Sequence, residues 1–417
     1  MIDGKFALTV SQYVFTICHM GSKQNQKTVS AQKGVAAESN RLLWQAYADN
    51  SARHIMALSR HMQLKLMNSL TESGYDGLRL NYEPFIAALA RQQGHSGNGG
   101  IRPSQLAAQQ GISKQVCNQI LNQLERHHYI ERVADPDDGR ARLIHLTRKG
   151  GKLAADGQAA LAGVERLYQE RAAYVNNTSG LNEPLALFAQ TLGVLARGLS
   201  LLPASLDLSR LTTAQLLGSV LPPLENYLGQ RLMALTMEKG HPDIAMAHAS
   251  VLTLIGLSGG RIQQMAQTHN VSKQAISAIA SELVKLGYIE RQSAFTAKAE
   301  VPMKRSSLLV FTKQGWQLIA DSIASVAQLE DEFEALIAEQ QGNPQSSFKQ
   351  FKEFSAGLYH ALRLEEDVFD RPLIQIMGAS ADAAGVQQDS PDLALLAQQL
   401  KAHLGPANAR RLAQLLD

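Results

Sequence analysis

The residues whose types and spacing suit chemistry gather in the segment 100–150. Lys114, Gln115, Asn118, Gln119 and Asn122 recur at helical spacing. Amide side chains on one helix face can pair bidentately with adenine, and a lysine can reach guanine or phosphate. Downstream, Arg140 and Arg142 stand at the tip of a hairpin-like sequence. There an arginine can enter the narrow, strongly negative minor groove, and Asp138 is placed to orient the Arg140 guanidinium through a charge-assisted hydrogen bond. A polar helix face turned to solvent reads the same way from residue types alone. Catalytic patterns are missing: there is no Gly-rich phosphate loop, no nucleophile elbow and no His-Glu-x-x-His. His127-His128, His54 with His61 and His241 with His248 lack tight metal-ligand spacing. The expectation is therefore no enzyme, no catalytic residue, no metal and no cofactor.

These side chains need elements to hold them. Residues 103–110 read as a short helix with Leu106 and Ala107 inward, Gly111 as a turn, and Ser113 as the N-cap of a second helix. In that helix Val116, Cys117, Ile120, Leu121 and Leu124 are assigned to the inner face, which gives Cys117 the role of a small buried hydrophobe. Tyr129 to Val133, the turn Asp135 to Arg140, and Ala141 to Thr147 then read as strand, turn and strand. Helix, turn, helix and hairpin is the plan in which the second helix enters the major groove and the hairpin becomes a wing.

The plan occurs twice. Ser113-Lys114-Gln115 returns as Ser272-Lys273-Gln274, and Tyr129-Ile130-Glu131-Arg132 returns as Tyr288-Ile289-Glu290-Arg291, both at an offset of 159. Arg102, Gln105, Ala107, Ile120 and Leu124 match Arg261, Gln264, Ala266, Ile279 and Leu283 at the same offset. Thr147 to Gly150 answers to Thr312 to Gly315 at 165, so the second hairpin is longer by six. Two copies at such a period describe a duplicated domain, not a solenoid. In the second copy Ser272, Lys273, Gln274 and Ser277 are the corresponding DNA-facing positions. Ala278 and Ser281 make that face poorer in long polar groups, and Lys298, Lys304 and Arg305 are its candidate phosphate contacts.

Gly111-Ile-Ser-Lys-Gln115, Leu124-Glu125, Tyr129-Ile-Glu-Arg132, Asp135-Pro-Asp-Asp-Gly-Arg-Ala141 and Leu146-Thr-Arg-Lys-Gly150 together resemble the MarR family of winged helix-turn-helix transcriptional regulators. The resemblance covers roughly 53–200 and, more weakly, 209–370, where the acidic wing motif is lost. It implies a double-stranded DNA operator as partner and a small-molecule effector held between winged and dimerisation helices. It also implies helices at both ends of each copy that form a dimer interface. Family members are normally homodimers, and a chain with two copies departs from that pattern.

Apolar periodicity fits such helices: Leu153, Leu161, Val164, Leu167 and Tyr168 after the first wing, then Leu318, Ile319, Ile323, Val326, Leu329 and Phe333 after the second. Leu185 to Leu202 and Phe348 to Leu364 follow, entered through Pro184 and Pro344. The expected fold class is mainly α with small β wings: two tandem winged helix-turn-helix domains joined by long dimerisation-type helices as an internal pseudodimer. The expected divisions are a flexible arm 1–40, a first domain 41–204, a second domain 205–377, and a linker with short amphipathic helices over 378–417.

Composition sets the outer bounds. The chain has 417 residues, 45% of them apolar, which excludes a disordered chain. The most apolar stretch, Leu185 to Leu208, is interrupted by Gln190, Arg197 and Asp207, so no membrane span is expected. Two cysteines, Cys18 and Cys117, suit a reducing cytoplasm, and residues 1–40 lack the pattern of a cleaved signal. The formal charge of +3 is a cancellation: 100–150 carries eight basic against five acidic residues and 259–315 eight against three, whereas 316–417 carries seven against fifteen. Basic islands in an otherwise acidic chain fit contact of part of the surface with a polyanion. The sequence thus supports a DNA-binding transcriptional regulator first. A winged-helix interaction scaffold acting through the acidic C-terminal part is the other reading.

Overall fold

The structure is a computed structural model that describes residues 38–96, 100–110, 112–175, 184–202, 206–268, 272–293, 307–341 and 344–364. All of them belong to one compact unit, 1–373; the other unit, 374–417, lies outside the described residues. So do most of the N-terminal arm, Gly111, Lys298, Lys304, Arg305 and the linker and helices expected at 378–417.

Helix α1 (38–48) and α2 (Ser51–Glu72) lead into α3 (Glu83–Ser96), α4 (Pro103–Gln109) and α5 (Lys114–Arg126). The hairpin β1 (Ile130–Ala134) and β2 (Arg142–Leu146) follows, then α6 (Arg148–Val175) and α7 (Pro184–Gly198). The same order returns in α8 (Thr213–Glu238), α9 (Met246–Ile255), the short β3 (Gly260–Arg261), α10 (Ile262–Thr268) and α11 (Lys273–Lys285). Strands β4 (Ile289–Ser293) and β5 (Ser307–Phe311) and helices α12 (Lys313–Gln341) and α13 (Pro344–Ala361) complete it. No helix among the described residues is long and apolar enough to cross a membrane.

Strand register follows the two sequence offsets. Ile130 faces Leu146 and Ala134 faces Arg142; Ile289 faces Phe311 and Ser293 faces Ser307. First strands are thus related by 159 and second strands by 165. The pairing of Ile101 with Ile144 has its counterpart in Gly260 with Leu309.

The Thr-x-x-Gly signature joins each hairpin to its following helix. Thr147 Oγ1 donates to the His128 carbonyl at 2.6 Å and accepts from the Gly150 amide at 3.1 Å. Thr312 Oγ1 donates to the Gly287 carbonyl at 2.6 Å and accepts from the Gly315 amide at 3.0 Å. A β-carbon on Gly150 would overlap the Tyr129 carbonyl oxygen, and one on Gly315 would overlap that of Tyr288. Close backbone approach therefore demands glycine at both places.

Three cores result. One lies under the first helix-turn-helix and includes Leu106, Cys117, Leu121, Leu124, Tyr129 and Ile144. A second lies under the other and includes Val251, Ile276, Leu283, Tyr288, Leu309 and Ile319. The largest draws on α2, α6, α7, α8, α12 and α13, with Leu58, Tyr168, Leu192, Leu221, Phe333 and Leu358 all buried. At about 1.5–3 kcal/mol per fully buried large apolar side chain, this helical platform is the main cement between residues 51–198 and 213–364. Helix α1 has its own destination: Leu43, Trp44 and Tyr47 pack against the core that includes Ile276, Tyr288 and Leu309, with the Trp44 ring 6.0 Å from that of Phe311.

Candidate nucleic-acid interface

Helix α5 begins at Ser113, whose Oγ accepts the Val116 amide at 3.3 Å, so the hydroxyl satisfies one of the helix's orphan donors. Lys114, Gln115, Asn118, Gln119 and Asn122 are exposed on its outer side, as the spacing requires. Cys117, Ile120, Leu121 and Leu124 are buried, but Val116, assigned to the inner face, is 43% exposed. At 100° per residue the buried stripe centres on 117, 121 and 124, and position 116 falls over its edge. The outer face thus carries one branched apolar group among its amides, a type that suits contact with a thymine methyl. Cys117 is enclosed, and burial pushes its thiol above the usual range, which makes it a poor nucleophile.

Asn122 is less free than its neighbours. Its Oδ1 accepts Arg132 Nη2 at 2.8 Å, while Arg132 Nη1 holds Glu125 Oε2 at 2.7 Å. The pair braces β1 against α5 and leaves Asn122 its two amide donors and one acceptor site for another partner.

The wing turn is built by aspartates, though not as the sequence suggests. Asp138 Oδ1 accepts the backbone amide of Arg140 at 3.1 Å. Asp138 therefore shapes the turn by an Asx contact and does not hold the Arg140 guanidinium. The buried carboxylate is Asp135, which accepts the Asp137 amide at 3.0 Å and Arg102 Nε at 2.7 Å. The Asp137 amide and then the Arg102 guanidinium hold Asp135 below the usual carboxylate range. Wing and α4 are thereby hooked together, with Arg140 and Arg142 exposed beyond the hook.

An open cleft of about 310 Å³ lies between these parts, lined by Arg102, Pro103, Ser104, Lys114, Asn118, Ala141 and Arg142. With Arg102 held by Asp135, Lys114 and Arg142 keep the concavity positive, which suits an anion such as a phosphate oxygen. Lys114, Asn118 and Arg142 stand out by residue type, and the structure brings them together. Residue type alone does not single out Arg102, Asp135, Arg132 or the outward Val116. Arg102 and Arg132 do recur at the 159-residue offset as Arg261 and Arg291, a signal visible in the sequence.

The second helix-turn-helix repeats the framework with fewer polar groups. Ser272 Oγ accepts the Ala275 amide at 3.1 Å, and Ser272, Lys273 and Gln274 are exposed, whereas Ser277 is half-buried. Arg291 Nη2 donates to Ser281 Oγ at 3.1 Å, the counterpart of the Arg132–Asn122 brace.

A small apolar pocket of about 90 Å³ opens between α2, α3 and α6, lined by Leu66, Leu70, Tyr82, Ile86, Leu153 and Leu161, with Arg79, Glu83 and Gln158 among its polar members. Burial pushes the Glu83 carboxyl up to about 7.

Residues 85–141, from α3 to the wing turn, match the family model described as the MarR family. The match supports a MarR-type winged helix domain in this part of the chain, in a regulator family. No curated protein matches the chain.

Proposed function

We propose that the chain is a sequence-specific regulator of transcription that binds a double-stranded DNA operator, with α5 and α11 in the major groove and the wings at the minor groove. The observation that carries this reading is the cleft where Lys114 and Asn118 of the outer α5 face meet Arg102 and Arg142 at the wing. Phosphate contacts of this kind fix register, and the amide face above them reads bases.

The two modules, 41–204 and 205–377, act as an internal pseudodimer in a compartment that holds DNA, the cytoplasm. The parallel registers at fixed offsets and the platform built by helices from both halves support that reading. Covalent linkage makes the second DNA contact intramolecular, so the pair holds at concentrations where separate subunits would dissociate. Val116 is matched by Ala275 and Asn122 by Ser281, so the two half-sites differ and the operator is an imperfect palindrome. A small apolar effector enters the α2–α3–α6 pocket, which must widen to accept it, since ligand sites usually enclose about 300–1,000 Å³.

Selection of duplex fragments by the full chain tests this directly, and the expected product is two unequal half-sites. Gln115→Ala and Arg140→Ala should each weaken operator binding by about 1–3 kcal/mol, and affinity should fall steeply with salt. Unchanged affinity in both variants would refute the proposal.

A further inference from the structure

Asp49, His54 and His360 bring three ligand atoms within 4.8 Å of one another. Asp49 lies in the turn between α1 and α2, His54 in the first turn of α2, and His360 in the last turn of α13. His54 Nε2 is 2.6 Å from Asp49 Oδ1, and His360 Nε2 is 3.6 Å from the same oxygen. A tetrahedral centre with bonds of about 2.0–2.1 Å sets its ligand atoms about 3.3 Å apart, and the two observed separations lie on either side of that value. Small side-chain adjustments therefore suffice.

His54 is 4% exposed, and the ring nitrogen it turns to Asp49 and the exposed side of the cluster is Nε2. The Tyr359 ring, 4.7 Å from that of His54, holds the imidazole in place by packing. His360 also stands at the carbonyl end of α13, where the helix dipole favours positive charge.

We propose that Asp49, His54 and His360 form a binding site for a divalent transition cation of the zinc class. Two imidazoles and one carboxylate are a donor set for Zn²⁺, and three protein ligands leave a fourth position for water. The ion ties the α1–α2 turn to the end of α13, and this holds whether or not the chain binds DNA.

The test uses the full chain, stripped with chelator and titrated with Zn²⁺ against a competing chromophoric chelator. One tight equivalent per chain is expected, with a rise in Tm on saturation. Cobalt in its place should give the intense visible bands of a tetrahedral centre. His360→Ala removes a half-exposed ligand and Asp49→Asn is nearly isosteric, so both should keep the metal-free Tm and lose the equivalent. Absence of the equivalent in the unmutated chain, or wild-type zinc affinity in either variant, overturns the proposal.

Discussion

Arg60 on α2 donates from Nε to Glu225 Oε1 on α8 at 2.7 Å, a direct tie between the two halves of the chain. Gln63 Nε2 reaches the other oxygen at 3.0 Å, and Glu225 is 5% exposed. Arg60→Ala leaves a buried carboxylate with one neutral donor, and about 3 kcal/mol of stability should be lost. Arg60→Met with Glu225→Met should restore most of it, because an apolar pair in place of a buried ion pair is often neutral. Urea unfolding of the three proteins gives the comparison; equal stability of Arg60→Ala and wild type would show that the tie contributes nothing.

Gly150→Ala and Gly315→Ala drive a methyl into the carbonyl oxygens of Tyr129 and Tyr288. Each should cost about 1–3 kcal/mol, the usual penalty for overpacking, as read from the denaturation midpoint. Gly151→Ala, where a β-carbon meets nothing, should cost far less and serves as the internal standard.

Glu83 has its carboxyl raised to about 7 by desolvation, against the opposing pull of Arg91. The folded state therefore binds more protons than the unfolded state between the ordinary glutamate value and about pH 7. The stabilisation is full below the ordinary value and disappears as pH rises through about 7. Thermal unfolding across this interval should show a fall in Tm that Glu83→Gln flattens. A Glu83→Gln profile that falls as steeply as wild type would assign the slope to other groups.

Asp135 behaves in the opposite sense. Its lowered carboxyl pKa gives stability that is present above the ordinary aspartate value and is lost as pH falls through the folded value. Asp135→Asn should loosen the wing at neutral pH as acid loosens it in the wild type. Hydrogen exchange at the Ala141 amide, which donates to the Asp138 carbonyl at 2.8 Å, should become faster while Tyr168 in the platform stays protected. Unaltered exchange would mean that the turn needs no hook.

What could be read without coordinates was local. Ser113 and Ser272 cap helices because a hydroxyl at that position meets the third amide, and the two hairpins follow from turn chemistry and alternating strands. Thr147 and Gly150 act over three residues, a range that sequence spacing describes well. The helical stripe was readable to within one position, and Val116 fell on the wrong side of its edge. Contacts made across the fold were not readable. Arg102 meets Asp135 only after the hairpin folds back on α4, and Glu225 looks like a surface charge until α2 covers it. His54 and His61 lie close in sequence, yet His61 turns to Tyr168 at 3.1 Å and the His54 ring lies 5.8 Å from that of His360 on α13. Residue types suggest that Asp138 pairs with the Arg140 side chain, whereas the amide it accepts is visible only in backbone geometry.

Helix α1 lies before α5 and its hairpin in sequence but packs on the core under α11 and β5. A fragment that begins after residue 204 would therefore expose the surface that Leu43, Trp44 and Tyr47 cover, and would be prone to aggregate. A fragment that ends there would carry those three side chains with nothing to bury them. Linear dissection of this protein separates groups that are spatial neighbours. A workable half needs its clasp restored, for instance by grafting 38–48 onto the other fragment or by co-expressing the two pieces.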